Sequence, residues 1–77
     1  MTRKNPTDND LERGKRLKEV RKKIWKSRLD FTQSTGISHH TLEGWESRGT
    51  DISTDGLKKI SEEGGDVLYI LTGEKKQ

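Results

Sequence analysis

The chain has two histidines, and they stand side by side as His39-His40. Adjacent helical residues diverge by about 100°, so the pair cannot close on one metal ion. With no cysteine and no third histidine, a metal site is not expected. No serine, histidine and acid stand at a spacing that makes a nucleophilic set, and no glycine-rich loop could cradle phosphates. Neither enzymatic activity nor a cofactor is therefore expected. The same residues can do a different chemistry. A histidine can donate to guanine N7 or O6, and the carboxylate of Glu43 can accept from cytosine N4. For that, His39, His40 and Glu43 must lie on the first turns of a helix that enters a major groove. Around them, Lys26, Ser27, Arg28, Ser38 and Arg48 could hold phosphates, which position a protein without reading sequence.

The elements that would place these residues follow from caps and periodicity. Leu17, Val20 and Ile24 recur along one helical face, with Leu11 further back, predicting a first helix over roughly 10–24. Ser27 offers an N-cap to a short second helix that Gly36 ends, because glycine takes the left-handed conformation without steric cost. Ser38 caps a third helix carrying Leu42 and Trp45, Ser53 a fourth carrying Leu57 and Ile60, and Asp66 a fifth over Val67 to Leu71. No strand alternation occurs. The expected fold is all-α, a compact bundle of five short helices over 10–73, with a flexible arm over 1–9 and a charged tail over 74–77. Leu17, Val20, Ile24, Phe31, Ile37, Leu42, Trp45, Leu57, Ile60 and Leu71 are expected in the core. Trp25 and Trp45 could stack on bases, but in so small a domain core packing is the stronger expectation.

Composition narrows the classes further. Seventy-seven residues allow one small domain, and 25% apolar content with a mean hydropathy of -1.14 puts it near the lower edge of what folds. The alternative of a disordered basic peptide is opposed by the bulk of the apolar residues, among which there is no alanine. The absence of any run of about 18 apolar residues predicts a soluble, cytoplasmic chain. Charge is unevenly spread. Residues 1–28 hold eleven Lys/Arg against four Asp/Glu, net +7, while residues 29–77 are net −4. A basic segment in a chain of pI near 9.3 points to a polyanion, although a solvated helix face would look the same.

Within Ser27 to Glu46, SRLDFTQSTGISHHTLEGWE, a short helix, a glycine turn, a serine cap and a second helix fall together, with Thr32 small where the helices must approach. That is the spacing of a helix-turn-helix. With RLKEVRKK (16–23), Ser27-Arg28, Gly36-Ile37-Ser38 and Trp45-Glu46, the chain resembles the Cro and phage-repressor type of helix-turn-helix regulators. The close at 66–74, DVLYILTGE, is similar to that of several phage-type regulators, so the resemblance covers 10–74. It implies a lambda-repressor-like fold and a structural ion pair between Arg21 and Glu46. Arg28 stands where the family has glutamine. Gly44 stands where a base-reading side chain is common, at a helix cost of about 1 kcal/mol relative to alanine.

The resulting expectation is a sequence-specific, double-stranded-DNA-binding repressor acting as a homodimer, with Val67, Tyr69 and Ile70 at the dimer interface. A complete chain would be Cro-like, and a fragment would lack a C-terminal oligomerisation or sensor domain. The alternative is a helix-turn-helix protein-interaction module such as an antitoxin or antirepressor, to which the acidic Glu43 and Gly44 lend support.

Overall fold

A computed structural model describes residues 8–74 as five helices: α1 (Asp8–Ile24), α2 (Arg28–Thr35), α3 (His39–Ser47), α4 (Thr54–Glu62) and α5 (Val67–Thr72). The fold is all-α, with no strand among the described residues. None of these helices is long and apolar enough to cross a membrane.

Local side-chain chemistry sets the helix starts. Ser27, Ser38, Ser53 and Asp66 each accept from a backbone N–H three residues on, at Asp30, Thr41, Gly56 and Tyr69. Each hydrogen bond satisfies one of the donors a helix leaves open at its first turn. α1 begins at Asp8, two residues earlier than the apolar pattern indicates. Asp8 and Asp10 in its first turn and Arg21, Lys22 and Lys23 in its last complement the helix dipole, which supports a start ahead of Leu11, its first apolar residue. The expected arm is thereby shortened. Its residues 1–7, and residues 75–77 of the expected tail, lie outside the described residues.

α1 is the spine of the core. α3 and α5 both pack on it, α2 packs on α3, and α4 on α5. Leu17, Phe31, Leu42, Ile60 and Ile70 are wholly buried, with Val20, Trp25, Trp45 and Ile52 completing the cluster. Trp25 meets Phe31 edge to face, the ring centroids 4.9 Å apart. Both tryptophans are therefore core side chains. Ile24, Ile37 and Leu57, expected inside, are half-buried at its margin. Leu71 overturns the expectation: it is 42% exposed, and the neighbouring Ile70 takes the inward position. In a helix of six residues, a one-residue error in phase turns the apolar stripe by about 100°.

Candidate nucleic-acid interface

α2 meets α3 through a turn built from hydroxyls and one glycine. Thr35 Oγ1 donates to the Phe31 carbonyl at 2.8 Å and accepts from the Ile37 N–H at 3.1 Å. Gly36, at φ 78°, donates to the Thr32 carbonyl and closes α2. Ser38 then accepts from the Thr41 N–H and donates to Thr41 Oγ1, starting α3 in a fixed direction. Leu42, Trp45 and Glu46 of α3 are buried, whereas His39, His40 and Thr41 are exposed. His39, His40 and Glu43 fall within an arc of about 100°. Glu43 is half-buried and faces Arg48 at 4.0 Å.

Behind that exposed arc lies a buried carboxylate. Glu46 has no side-chain exposure, and its Oε2 accepts from Arg21 Nε at 2.5 Å. The implied Arg21–Glu46 pair is present and joins α1 to α3. Arg28 is placed differently from the expectation. Its Nη2 stands 3.3 Å from Glu46 Oε1, an ion pair without hydrogen-bond geometry, and Oε1 has no hydrogen-bond partner. Two guanidinium groups, from α1 and α2, thus converge on one carboxylate of α3. A buried carboxylate left with one partner is costly, which explains why the nearest cation at the start of α2 turns toward it. With 31% of its side chain still exposed, Arg28 is not an unengaged phosphate ligand.

The same sorting runs along α1. Arg13, Arg16 and Arg21 turn inward, while Lys15, Lys18, Lys22 and Lys23 are exposed. Arg16 Nε donates to the Ile70 carbonyl at 3.0 Å, and Arg13 Nη2 to the Gly49 carbonyl at 2.9 Å. Guanidinium is planar and weakly hydrated and suits such shielded bonds, whereas ammonium keeps its water. The net +7 of residues 1–28 therefore overstates the positive charge offered to a partner. Gly14, not singled out in the sequence, lets α1 and α3 touch: a Cβ there would lie 2.6 Å from the Glu46 carbonyl oxygen and 2.7 Å from that of Trp45.

The remaining expected residues divide. Lys26 is exposed in the bend between α1 and α2, and Arg48 is exposed just past α3. The Ser27 and Ser38 hydroxyls are committed to their caps. Gly44 is not an open reading position but buried: its carbonyl accepts from the Arg48 and Thr50 N–H groups, and a Cβ would come 3.2 Å from Thr50 Oγ1. In α5, Ile70 cannot lie at a dimer interface, because it is wholly buried within its own chain. Val67 and Tyr69 are half-buried and packed against the core. The Tyr69 hydroxyl donates to Glu19 Oε1 at 2.6 Å, and this bond raises the phenol above its ordinary value of 10.0, opposed by the charge of Arg16. The outward apolar side chains of α5 are Leu68 and Leu71, 49% and 42% exposed.

Comparison with known proteins finds no matching family model, no matching curated protein and no matching solved structure.

Proposed function

We propose that α2, its turn and α3 form a helix-turn-helix of the Cro and phage-repressor type, and that the protein is a sequence-specific DNA-binding repressor. The observation that carries this reading is the division of α3. Its inner side is fixed to α1 and α2 through Leu42, Trp45 and Glu46, while His39 and His40 stand exposed on its first turn. A helix held rigidly from behind, with hydrogen-bonding side chains in front, is what entry into a major groove requires. Lys26 and Arg48 supply exposed positive charge at either end of the α2–α3 unit. Repression is steric. A homodimer joined through Leu68 and Leu71 of α5 occupies two half-sites about one helical turn apart and excludes other proteins.

The test is an electrophoretic shift on random duplex at two salt concentrations, followed by selection of bound sequences from a random pool. The reading expects salt-dependent binding to random duplex and a tighter, selectable site. Absence of any shift at low salt overturns it. One observation favours a second reading, a protein-interaction module of antitoxin or antirepressor type. Arg28 is turned onto Glu46 and Arg48 stands near Glu43, so less cationic charge faces outward than the sequence implies. That reading expects a stable complex with a protein and no selectable duplex.

A further inference from the structure

The segment after α3, residues 48–53, has no helix of its own, yet it is tied down at several points. Its Arg48 and Thr50 N–H groups both donate to the Gly44 carbonyl at 3.1 Å, and Ile52 is buried in the core. Its remaining anchor comes from α1. Arg13, with a side chain only 12% exposed, reaches across 36 residues of sequence to the Gly49 carbonyl at 2.9 Å. The same Nη2 lies 3.2 Å from Asp51 Oδ1, and Nη1 donates to Asp10 Oδ1 at 3.1 Å. Asp10 is itself buried. The guanidinium is thus held by its own helix on one prong and holds the loop with the other, while its Nε is buried without a hydrogen-bond partner. Gly14, the next residue, permits the close helix contact that brings Arg13 within reach.

We propose that Arg13 is a positioning residue for DNA binding: it clamps residues 49–51 against α1 and so fixes where Arg48 stands, without touching the duplex itself. This rests on the DNA-binding reading above. Arg13 belongs to the basic segment that looked like a polyanion footprint, but its charge faces inward and is matched by Asp10 and Asp51. A terminal nitrogen shared between a carbonyl and a carboxylate, beside another bonded elsewhere, needs the planar fork of arginine. Lysine would keep the charge and lose that geometry. Because phosphate contacts set register and carry no sequence information, a misplaced loop should weaken binding to all duplexes alike.

The test uses the full chain carrying Arg13→Gln, Arg13→Lys, Arg48→Gln and the double variant Arg13→Gln/Arg48→Gln. Without DNA, amide exchange at 49–51 should speed up about tenfold in both Arg13 variants, with the Leu17 and Leu42 amides still protected. With DNA, both should bind random duplex and the selected site more weakly by one common factor, about tenfold, as expected for residues sharing a network. Arg48→Gln should then cost much less on the Arg13→Gln background than alone. Full additivity of the two, or a loss confined to the selected site, overturns the inference. Where Arg13→Gln does not fold, Asp51→Asn decides, since Asp51 is exposed. Removing a negative charge near a duplex should strengthen binding by charge alone, whereas loosening the clamp should weaken it; no weakening overturns the proposal. A wild-type chain that shifts no duplex overturns the proposed function and Arg13's role with it. Additivity in a chain that does bind overturns only the clamp.

Discussion

α3 and α5 are both short helices packed on α1, and both start at a capping side chain, Ser38 in one and Asp66 in the other. They are held in different ways. α3 buries Leu42, Trp45 and the charged Glu46, and touches α1 backbone to backbone at Gly14. α5 buries one side chain completely, Ile70, and is otherwise tied by an arginine to a carbonyl and by Tyr69 to Glu19. Its outer side keeps Leu68 and Leu71 in solvent, where the outer side of α3 carries two histidines. The contrast separates two tasks that a small helix can perform. One is locked so that its polar face keeps a single orientation; the other is lightly attached and offers apolar surface.

The largest expected effect is at the centre of the locked helix. Trp45→Ala should cost about 3–5 kcal/mol, close to the whole stability of so small a domain. Cooperative melting of that variant within a few degrees of wild type would break the comparison outright. Glu46→Gln should cost a similar amount, about 3–5 kcal/mol, because Arg21 is left buried against a neutral amide with Arg28 nearby. Urea denaturation at neutral pH measures it. A loss no larger than that of an exposed salt bridge would show that the charge at Glu46 does not lock α3.

For α5 the comparison turns on adjacent residues. Ile70→Ala should destabilise by about 2–5 kcal/mol, whereas Leu71→Ala should stay within about 0.5 kcal/mol. Equal losses would mean that the inward face of α5 is misassigned. Leu68→Glu should leave the monomer's stability nearly unchanged while lowering self-association in sedimentation. A dimer that survives Leu68→Glu, alone and combined with Leu71→Glu, places the interface elsewhere.

These two neighbours also mark where the sequence stops being legible. The caps at Ser27, Ser38, Ser53 and Asp66 can be read because a capping bond is local, reaching only three residues ahead. The inward face of α3 can be read because Leu42 and Trp45 are large and correctly spaced. α5 admits two stripes, Val67 with Ile70 or Leu68 with Leu71, and six residues contain too little period to choose between them. Ile52 enters the core from a loop, where no periodicity announces it. The direction of each arginine was hidden for another reason. Arg13, Arg16 and Arg28 look like surface charge until the fold brings a carbonyl or carboxylate within reach, and those partners lie 18 to 54 residues away. The exposed His39 and His40 were legible as candidates, because Ser38 fixes where their helix begins.

On the outer side of α3 the effects are smaller and appear only with DNA. His39→Ala should cost about 1–3 kcal/mol on the selected site and relax preference at one base pair, with stability unchanged. Glu43→Ala sharpens the assignment. If it strengthens binding equally on selected and random duplex, Glu43 is a repulsive charge near phosphate and the reading face contracts to the histidines.

The smallest effect concerns the tie between α5 and α1. Tyr69 is the only tyrosine of the chain, so phenolate absorbance reports on it alone. Its bond to Glu19 raises the folded-state value above 10.0. Below that pH the phenol is protonated in both folded and unfolded chains, and the bond's contribution is fully present. As pH rises past 10.0, the unfolded chain releases its proton first, so stability falls until the folded phenol also ionises. Glu19→Gln should bring the titration back toward its ordinary position, and Tyr69→Phe should remove this alkaline decline. Folding at neutral pH should be little changed in either variant, since the hydroxyl is exposed and Arg16 still holds the Ile70 carbonyl. A folded wild-type chain whose tyrosine titrates at its ordinary value has no such bond in solution. α5 would then lack one of its polar ties to α1, leaving Ile70, the packing of Val67 and the Tyr69 ring on the core, its cap and Arg16 to hold it.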